Sequence, residues 1–417
     1  MKIASMLLTD LGNFGGVEVF TLNFLNRVSS LGHDCTLFLT KEAIDNINAT
    51  QRSFGFKIQC LGVKRAMLFR RAPFLMRLVI RWLQYKHQFD IWQIMGAFPG
   101  AGIGSVLRVP SVLRAHGDDI QKDFRLDYGV TRIPSRRRFV VKSLKSIDRV
   151  VAMTQAMEES FLALEVPESR IVRIPNGANL DRFRKDFDRV KIRTQLGISK
   201  TETVFITVGR YHLKKGHDLI PRIALNLKAQ GKRFKWILVG QGVSILKSDV
   251  ERLGLLNDII LHEKIRFGSN SARDTFSVPS EDLIAILKSC DVFIFPTRLE
   301  GFPMVTIEAM AAGLPIVTTN SPGTGELFQH EHTAMLSDVD DIAAIVQNIT
   351  EVMSDENLRK RLSRNGLQEV WKYDIDVVVR RYVALYEKLL ASGKDVYRVS
   401  RKAPKPAALE IAGQQDR

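Results

Sequence analysis

Apolar and polar positions along this chain fall into two alternating rhythms. Short apolar runs bounded by glycine, proline or charge read as buried strands at residues 2–8, Cys35–Leu39, Ile91–Ile94, Ser111–Arg114, Arg149–Met153 and Ile171–Ile174. Between them lie stretches with apolar residues at helical spacing, such as Val17, Phe20, Phe24, Val28 and Leu31. The alternation lapses over the polar residues 179–201. It resumes with Thr203–Val208, a helix over 217–229, Trp236–Val239 and, later, the run DVFIFP at 291–296. A helix from about Met304 to Ala312 and a strand Ile316–Thr319 follow, then helical patterns near 340–352, 356–364 and Ile375–Leu390. Strands alternating with helices predict an α/β architecture of parallel sheets, divided into units at 1–180 and 200–370. Residues 392–417 carry no sustained pattern and are expected to be a disordered tail.

The densest chemistry lies in FPTRLEGFPMVTIEAMAAGLPIVTTN. Glu300 falls in the loop at a strand's carboxyl end, and Glu308 about two turns into the next helix. The first turn of that helix offers unpaired backbone donors around Gly301, Phe302, Pro303, Met304 and Val305, which suits a phosphate. A carboxylate for sugar hydroxyls, a phosphate cradle and a second carboxylate for a ribose together describe a sugar-nucleotide site. VGRYHLKKG places Arg210 and Lys215 in a loop after a strand. Arginine offers forked bonds to phosphate oxygens and lysine a mobile point charge, so this loop reads as a diphosphate clamp. In GNFGGVEVF, Gly12, Gly15 and Gly16 permit close backbone approach ahead of a helix. The spacing is not G-x-G-x-x-G and no acid stands near residue 36, which disfavours a dehydrogenase. RAHGDD sets His116, Asp118 and Asp119 at a strand's carboxyl end, where α/β sheets carry their sites. In VGQG, Gly240 and Gly242 let backbone pass close to a nucleotide or simply form a turn. In PNGAN, Asn176 and Gly177 suit a hinge turn.

Taken in order, these motifs resemble those of glycosyltransferase family 4, a family of retaining enzymes with an E-x7-E signature, over roughly residues 1–390. The resemblance implies the GT-B fold, two facing Rossmann-like domains with a C-terminal helix (about 375–391) crossing back to the first. It also implies roles: Arg210 and Lys215 on the donor diphosphate, Glu300 and His116 on the donor sugar, and Glu308 on the ribose. Gly15 and Gly16 would lie under the donor phosphates, with Asp118 and Asp119 on the acceptor side. The implied donor is a nucleotide sugar, a UDP- or GDP-sugar, with no metal and no cofactor required. The implied reaction is a front-face substitution in which the leaving diphosphate draws the acceptor proton. One departure is the longer segment Gly268–Ser280, which leaves the base-contacting residues unassigned.

Composition changes this picture in one respect. The 417 residues are 45% hydrophobic and 25% charged, ordinary for a globular protein of two domains. The net charge of +16 is not ordinary and points to an anionic partner. Residues 64–88 hold seven Lys or Arg and no acid, and 132–145 hold six more without an acid. A helix from Phe74 would set Leu75, Leu78, Val79 and Trp82 on one face with Arg77 and Arg81 opposite, which fits either an interfacial helix on an anionic membrane or a buried helix with a solvated basic face. No recognition motif supports nucleic acid. Cys35, Cys60 and Cys290 form no metal or disulfide pattern, which fits a cytoplasmic protein, peripheral on the inner face of the membrane. The expected acceptor is a glycan or lipid-linked molecule of surface polysaccharide or glycolipid assembly. The alternatives are a sugar-nucleotide epimerase or hydrolase on the same fold, or a non-catalytic scaffold.

Overall fold

The computed structural model describes residues 1–8, 16–48, 54–62, 73–264 and 279–401. The turn glycines Gly12 and Gly15, the basic residues 64–72 and most of the 268–280 segment lie outside the described residues. In the first unit come β1 (Lys2–Leu7), α1 (Gly16–Ser30), β2 (Asp34–Leu39), α2 (Lys41–Asn48), β3 (Lys57–Cys60), α3 (Pro73–His87), β4 (Ile91–Met95), β5 (Ser111–Arg114), α4 (Pro134–Leu144), β6 (Arg149–Ala152), α5 (Gln155–Leu162) and β7 (Ile171–Arg173). The strands pair in parallel in the order β3-β2-β1-β4-β5-β6-β7. The second unit holds α6 (Arg189–Gln195), β8 (Thr203–Val208), α7 (Ile220–Ala229), β9 (Phe234–Val239), α8 (Lys247–Arg252), β10 (Ile259–His262), α9 (Glu281–Ser289), β11 (Val292–Phe295), α10 (Met304–Ala311), β12 (Ile316–Thr319), β13 (Met335–Ser337), α11 (Ile342–Ser354) and α12 (Glu356–Glu369). Its sheet is also parallel, in the order β10-β9-β8-β11-β12-β13. These are the two Rossmann-like units the alternation predicts.

Each sheet reverses its winding direction once, between β1 and β4 and again between β8 and β11. At such a point the loops leaving two neighbouring strands diverge and open a crevice at the carboxyl ends. The clamp loop leaves β8 and the Glu300 loop leaves β11, so the two motifs are neighbours by topology before any side chain is considered.

The last helix, α13 (Ile375–Arg401), returns to the first unit. Tyr382 packs edge-on against Phe24 of α1 at 4.9 Å, Arg27 pairs with Asp376, and Arg381 donates to the Arg173 carbonyl at 2.7 Å. Deep in the same packing, the Tyr386 hydroxyl donates to Oε1 of the fully buried Gln93 at 2.6 Å. The chain crosses between units at two paired points: Ala178 and Ile375 exchange a backbone hydrogen bond of 2.9 Å beside that between Ala178 and Tyr373.

Four elements differ from expectation. The helix α13 continues to Arg401, into the segment expected to be disordered, as an extension of a helix already nucleated by its packed turns, since propagation costs far less than nucleation. The polar connection 179–201 contains α6, anchored by buried Ile192 and by Arg193, which donates to the Ser289 and Glu202 carbonyls and pairs with Asp291 at 2.6 Å. The edge strand β3 escaped the pattern because none of its residues is fully buried. The helix α3 buries Met76, Ile80 and Leu83 instead of the expected face, leaving Leu75, Leu78, Trp82 and Tyr85 exposed. Among the described residues, no helix is long and apolar enough to cross a membrane.

If the crossing helix is held by its buried polar contact as well as by area, Tyr386→Phe should destabilise the chain by about 1–3 kcal/mol, the cost of leaving the Gln93 oxygen unpaired away from water. Urea unfolding of the variant beside the wild type measures this; equal midpoints would assign the helix to apolar packing alone.

Candidate active site

The Glu300 carboxylate is 4% exposed and lies between two lysines of the clamp loop. Lys215 Nζ is 2.6 Å from Oε1, and Lys214 Nζ is 3.5 Å from Oε2. Burial pushes the Glu300 carboxyl up, but the two ammonium groups outweigh it and hold the group below its ordinary range, so it stands ionised. The backbone is shaped to bring these groups together. Gly216 sits at φ 68° and a Cβ there would lie 1.8 Å from the Pro296 carbonyl oxygen, so the turn after Lys215 tolerates only glycine. Gly240 is similarly pressed, with a Cβ position 2.0 Å from the Gly209 carbonyl oxygen. The VGR and VGQG loops thus lie back to back, joined by a 2.8 Å bond from Tyr211 N–H to the Gln241 carbonyl.

The first unit closes on the Glu300 loop through its backbone. Gln121 Nε2 donates to the Glu300 carbonyl at 3.0 Å, and Thr154 Oγ1 donates to the Gly301 carbonyl at 2.9 Å. The His116 carbonyl and Gly117 abut Gly301 so closely that a Cβ there would meet them at 3.0–3.2 Å. Glu326 of the second unit accepts from the Gln155 and Ala156 N–H groups that open α5. Tyr128 completes the seam, its hydroxyl 3.5 Å from Lys214 Nζ and its ring 4.5 Å beneath the same ammonium.

The sequence-derived residues are placed unevenly around this cluster. Arg210 is exposed and makes no ion pair among the described residues, which leaves its guanidinium available. His116 is half-buried beside Gly301, and Asp118 is exposed. Asp119 is buried, and its carboxylate is already occupied: it accepts from Ala97, His116 and Gly117 N–H at 2.6–3.1 Å. Burial and the neighbouring Asp118 push its carboxyl to about 6 despite those three donors. Its work in this structure is to tie the loops after β4 and β5 together, leaving Asp118 as the acidic group of the motif that faces out. Gly16 opens α1. Phe302 is buried against Tyr373, ring centroids 5.6 Å apart, and Pro303 is buried beside it, so Met304 and Val305 are the side chains of that turn that reach the surface. The first turn of α10 has no side-chain cap, and its Met304 and Thr306 N–H groups donate to the Phe302 and Pro303 carbonyls at 3.0 Å. Glu308 lies buried one helical face away, and burial pushes its carboxyl up to about 8, with Arg182 pulling weakly the other way.

Sequence reasoning passed over Lys214, Tyr128, Gln121 and His217. The doubled lysine in HLKKG was the available signal for Lys214. His217 is fully buried behind Lys215, and burial lowers it to about 4, so it stays neutral. Tyr128 and Gln121 carry no motif, because their role comes from the meeting of the two units.

Comparison with known proteins agrees with this fold. Residues 14–182 match the model described as Glycosyltransferase Family 4, and residues 188–369 match that of Glycosyl transferases group 1. An uncharacterised glycosyltransferase of Methanocaldococcus jannaschii is 24% identical over 70% of this chain and 73% of its own length. The lipopolysaccharide core biosynthesis mannosyltransferase LpsB of Rhizobium meliloti is 27% identical over 61% of this chain and 71% of its own. Among solved structures, Anabaena HepE in complex with UDP and glucose superimposes with a TM-score of 0.73 at 19% identity, covering 93% of this chain and all of that one. That likeness establishes the GT-B fold for this chain.

The buried Glu308 has a consequence in the free protein. A carboxyl whose folded-state value of about 8 lies above its unfolded value of 4.5 adds stability below that lower value and loses it as pH rises through about 8. The wild-type melting temperature should therefore fall from about pH 5 to about pH 8 more steeply than that of Glu308→Gln, which cannot ionise. Parallel profiles in a thermal-shift series would mean that Glu308 is solvated.

Proposed function

We propose that this chain, which belongs to glycosyltransferase family 4, transfers a sugar from a nucleotide-sugar donor to a glycan or lipid-linked acceptor with retention of configuration. The observation that carries this reading is the buried Glu300 carboxylate bracketed by Lys214 and Lys215 where the two units meet. A buried anion held by cations, beside an uncapped helix start and a free arginine, is built for a ligand with both hydroxyls and a diphosphate. Glu300 accepts hydrogen bonds from the sugar. Lys215 and Arg210 take up the charge that grows on the diphosphate as its bond to the anomeric carbon breaks, where preorganised cations count most. The acceptor oxygen bonds to that carbon on the same face, and its proton passes to the departing phosphate oxygen. The arrangement asks for no carboxylate nucleophile, and ion-pairing of Glu300 with two lysines makes it a poor one. The complexes of Anabaena HepE with UDP and with UDP-glucose support a nucleotide-sugar donor, taken here as a UDP- or GDP-sugar. LpsB and the Staphylococcus aureus capsular polysaccharide glycosyltransferase CapM support a role in surface polysaccharide assembly.

The acceptor side fits a membrane. Leu75, Leu78, Trp82 and Tyr85 form one face of α3 and are 47–79% exposed. Arg81 and Lys86 flank them, and Lys86 Nζ lies 4.8 Å from the Trp82 ring. Neighbouring α4 exposes Arg136, Arg138 and Lys142, and both helices pack on the turn Gly100–Val106. An apolar strip rimmed by cations matches an anionic bilayer surface at the cytoplasmic face.

A thermal-shift panel of UDP, GDP, ADP, CDP and dTDP, with and without EDTA, tests the donor site. One saturating nucleotide with an EDTA-independent shift is expected, and Lys215→Ala should abolish that shift and lower turnover about 100-fold or more with the fold intact. Absence of any shift on folded protein would favour a non-catalytic scaffold. For the membrane face, Arg81→Glu combined with Trp82→Ser should reduce co-sedimentation with phosphatidylglycerol vesicles at least about tenfold, and wild-type protein should bind neutral phosphatidylcholine vesicles far less. Unchanged co-sedimentation of the double variant would return α3 to a purely structural role.

A further inference from the structure

The first unit buries a cation that the transfer reaction above does not use. Arg114, the last residue of β5, is 1% exposed, and no carboxylate pairs with it among the described residues. Its guanidinium lies 3.7 Å over the Phe20 ring of α1, beside the Tyr382 phenol of α13, and Nη2 donates to the Met153 sulfur at 2.9 Å. The remaining contact is the informative one: Nη1 is 2.8 Å from Nδ1 of His116. A guanidinium has donors only, so Nδ1 must accept, and the neutral imidazole then carries its proton on Nε2. That Nε2 is buried and has no partner among the described residues. An oriented, buried donor with nothing to receive it marks a place where a ligand supplies the acceptor.

We propose that Arg114 is a positioning residue: by occupying Nδ1 of His116 it commits this histidine to one state, a neutral imidazole that donates from Nε2 to a hydroxyl oxygen of the bound sugar. The sugar part rests on the donor reading above; the pairing does not. His116 is then a donor only and cannot serve as a general base, since its single lone pair is taken. The surroundings keep it so. Asp119 spends its Oδ1 on the backbone N–H groups of His116 and Gly117 and its Oδ2 on Ala97, Asp118 points to solvent, and Glu300, preceding the Gly301 that abuts the His116 carbonyl, is committed to the two lysines. Burial and the adjacent guanidinium therefore act on the ring unopposed, and both hold it well below the ordinary histidine range. Lysine could not replace the arginine here. Its single ammonium cannot reach Nδ1 and the Met153 sulfur together while stacking on Phe20, and when buried it sheds its proton readily.

Nitrogen-15 NMR of histidine-labelled full-length protein tests the pairing directly, with the His116 signals identified by their loss in His116→Gln. The expected spectrum has an unprotonated Nδ1 and a protonated Nε2 that do not titrate from about pH 8 to about pH 5, a range that spans the ordinary imidazole titration. The opposite tautomer, or an ordinary titration, overturns the proposal. In Arg114→Lys, His116 should begin to titrate within that range, and kcat/KM for the donor should fall about tenfold, with a new acidic limb in the pH profile. His116→Gln should add little to that loss, because both changes remove one interaction; full additivity would reduce Arg114 to a structural residue. Should Arg114→Lys fail to fold, the wild-type spectrum alone decides the tautomer. A chain that showed the expected tautomer but bound no nucleotide sugar would keep the pairing and overturn the sugar assignment.

Discussion

The structure turns on one buried carboxylate that answers to both halves of the molecule. The Glu300 side chain is held by Lys214 and Lys215 from the second unit, while the backbone around it is held by Gln121, Thr154 and the His116–Gly117 turn of the first. Taking such a group out of water costs several kcal/mol unless charges and hydrogen bonds replace the solvent. Here both cations come from a single loop, beside a 3.4 Å bond from Thr297 Oγ1, and the loop reaches the carboxylate only because Gly216 admits a backbone that no other residue could adopt against the Pro296 carbonyl. The pairing of the units, the path of the clamp loop and the ionisation of Glu300 are consequently one arrangement and not three.

Buried ionisable groups elsewhere in the cleft are handled differently, and the differences describe the division of labour. Asp119 is satisfied by three backbone donors and does structural work. Arg114 has no carboxylate and instead spends its donors on an imidazole and a sulfur. Burial pushes Glu308 up to about 8, with the Arg182 guanidinium acting the other way. A group that is satisfied from within is scaffold. A group left short of partners in a dry crevice is open to a ligand, and among the described residues the His116 Nε2 belongs to that second class.

Much of this was legible in the residue pattern, for a stated reason. The central strands of the two sheets are buried on both faces, so they appear as apolar bursts, and each motif follows one because parallel sheets place their loops at the carboxyl ends. Glu300 and Lys215 belong to separate motifs nearly a hundred residues apart, and the structure sets them 2.6 Å from each other. What the pattern could not supply depends on tertiary choices. The helix α3 is apolar on two faces, and spacing alone does not say that Met76, Ile80 and Leu83 turn inward while Leu75, Leu78 and Trp82 turn out. Asp118 and Asp119 are adjacent and chemically identical, yet only the second meets three backbone donors. Arg114 looks like the polar end of a strand until Phe20 and Met153 are seen to enclose it.

The free chain also bears on how a donor would enter the cleft. Lys215 is already engaged with Glu300, so a diphosphate does not meet an idle cation; it must share or replace an existing partner. In a crevice of low polarity, that exchange is easier than filling an empty site, because the lysine is never left buried and unpaired, a state that would shift it toward its neutral form. Lys214 makes the exchange reversible. On the donor reading proposed above, a Lys215 drawn to phosphate would leave the second ammonium, 3.5 Å from the other carboxylate oxygen and braced on the Tyr128 ring, to keep Glu300 ionised. Because Tyr128 belongs to the first unit and Lys214 to the second, that brace spans the two units beside the Glu300 carboxylate.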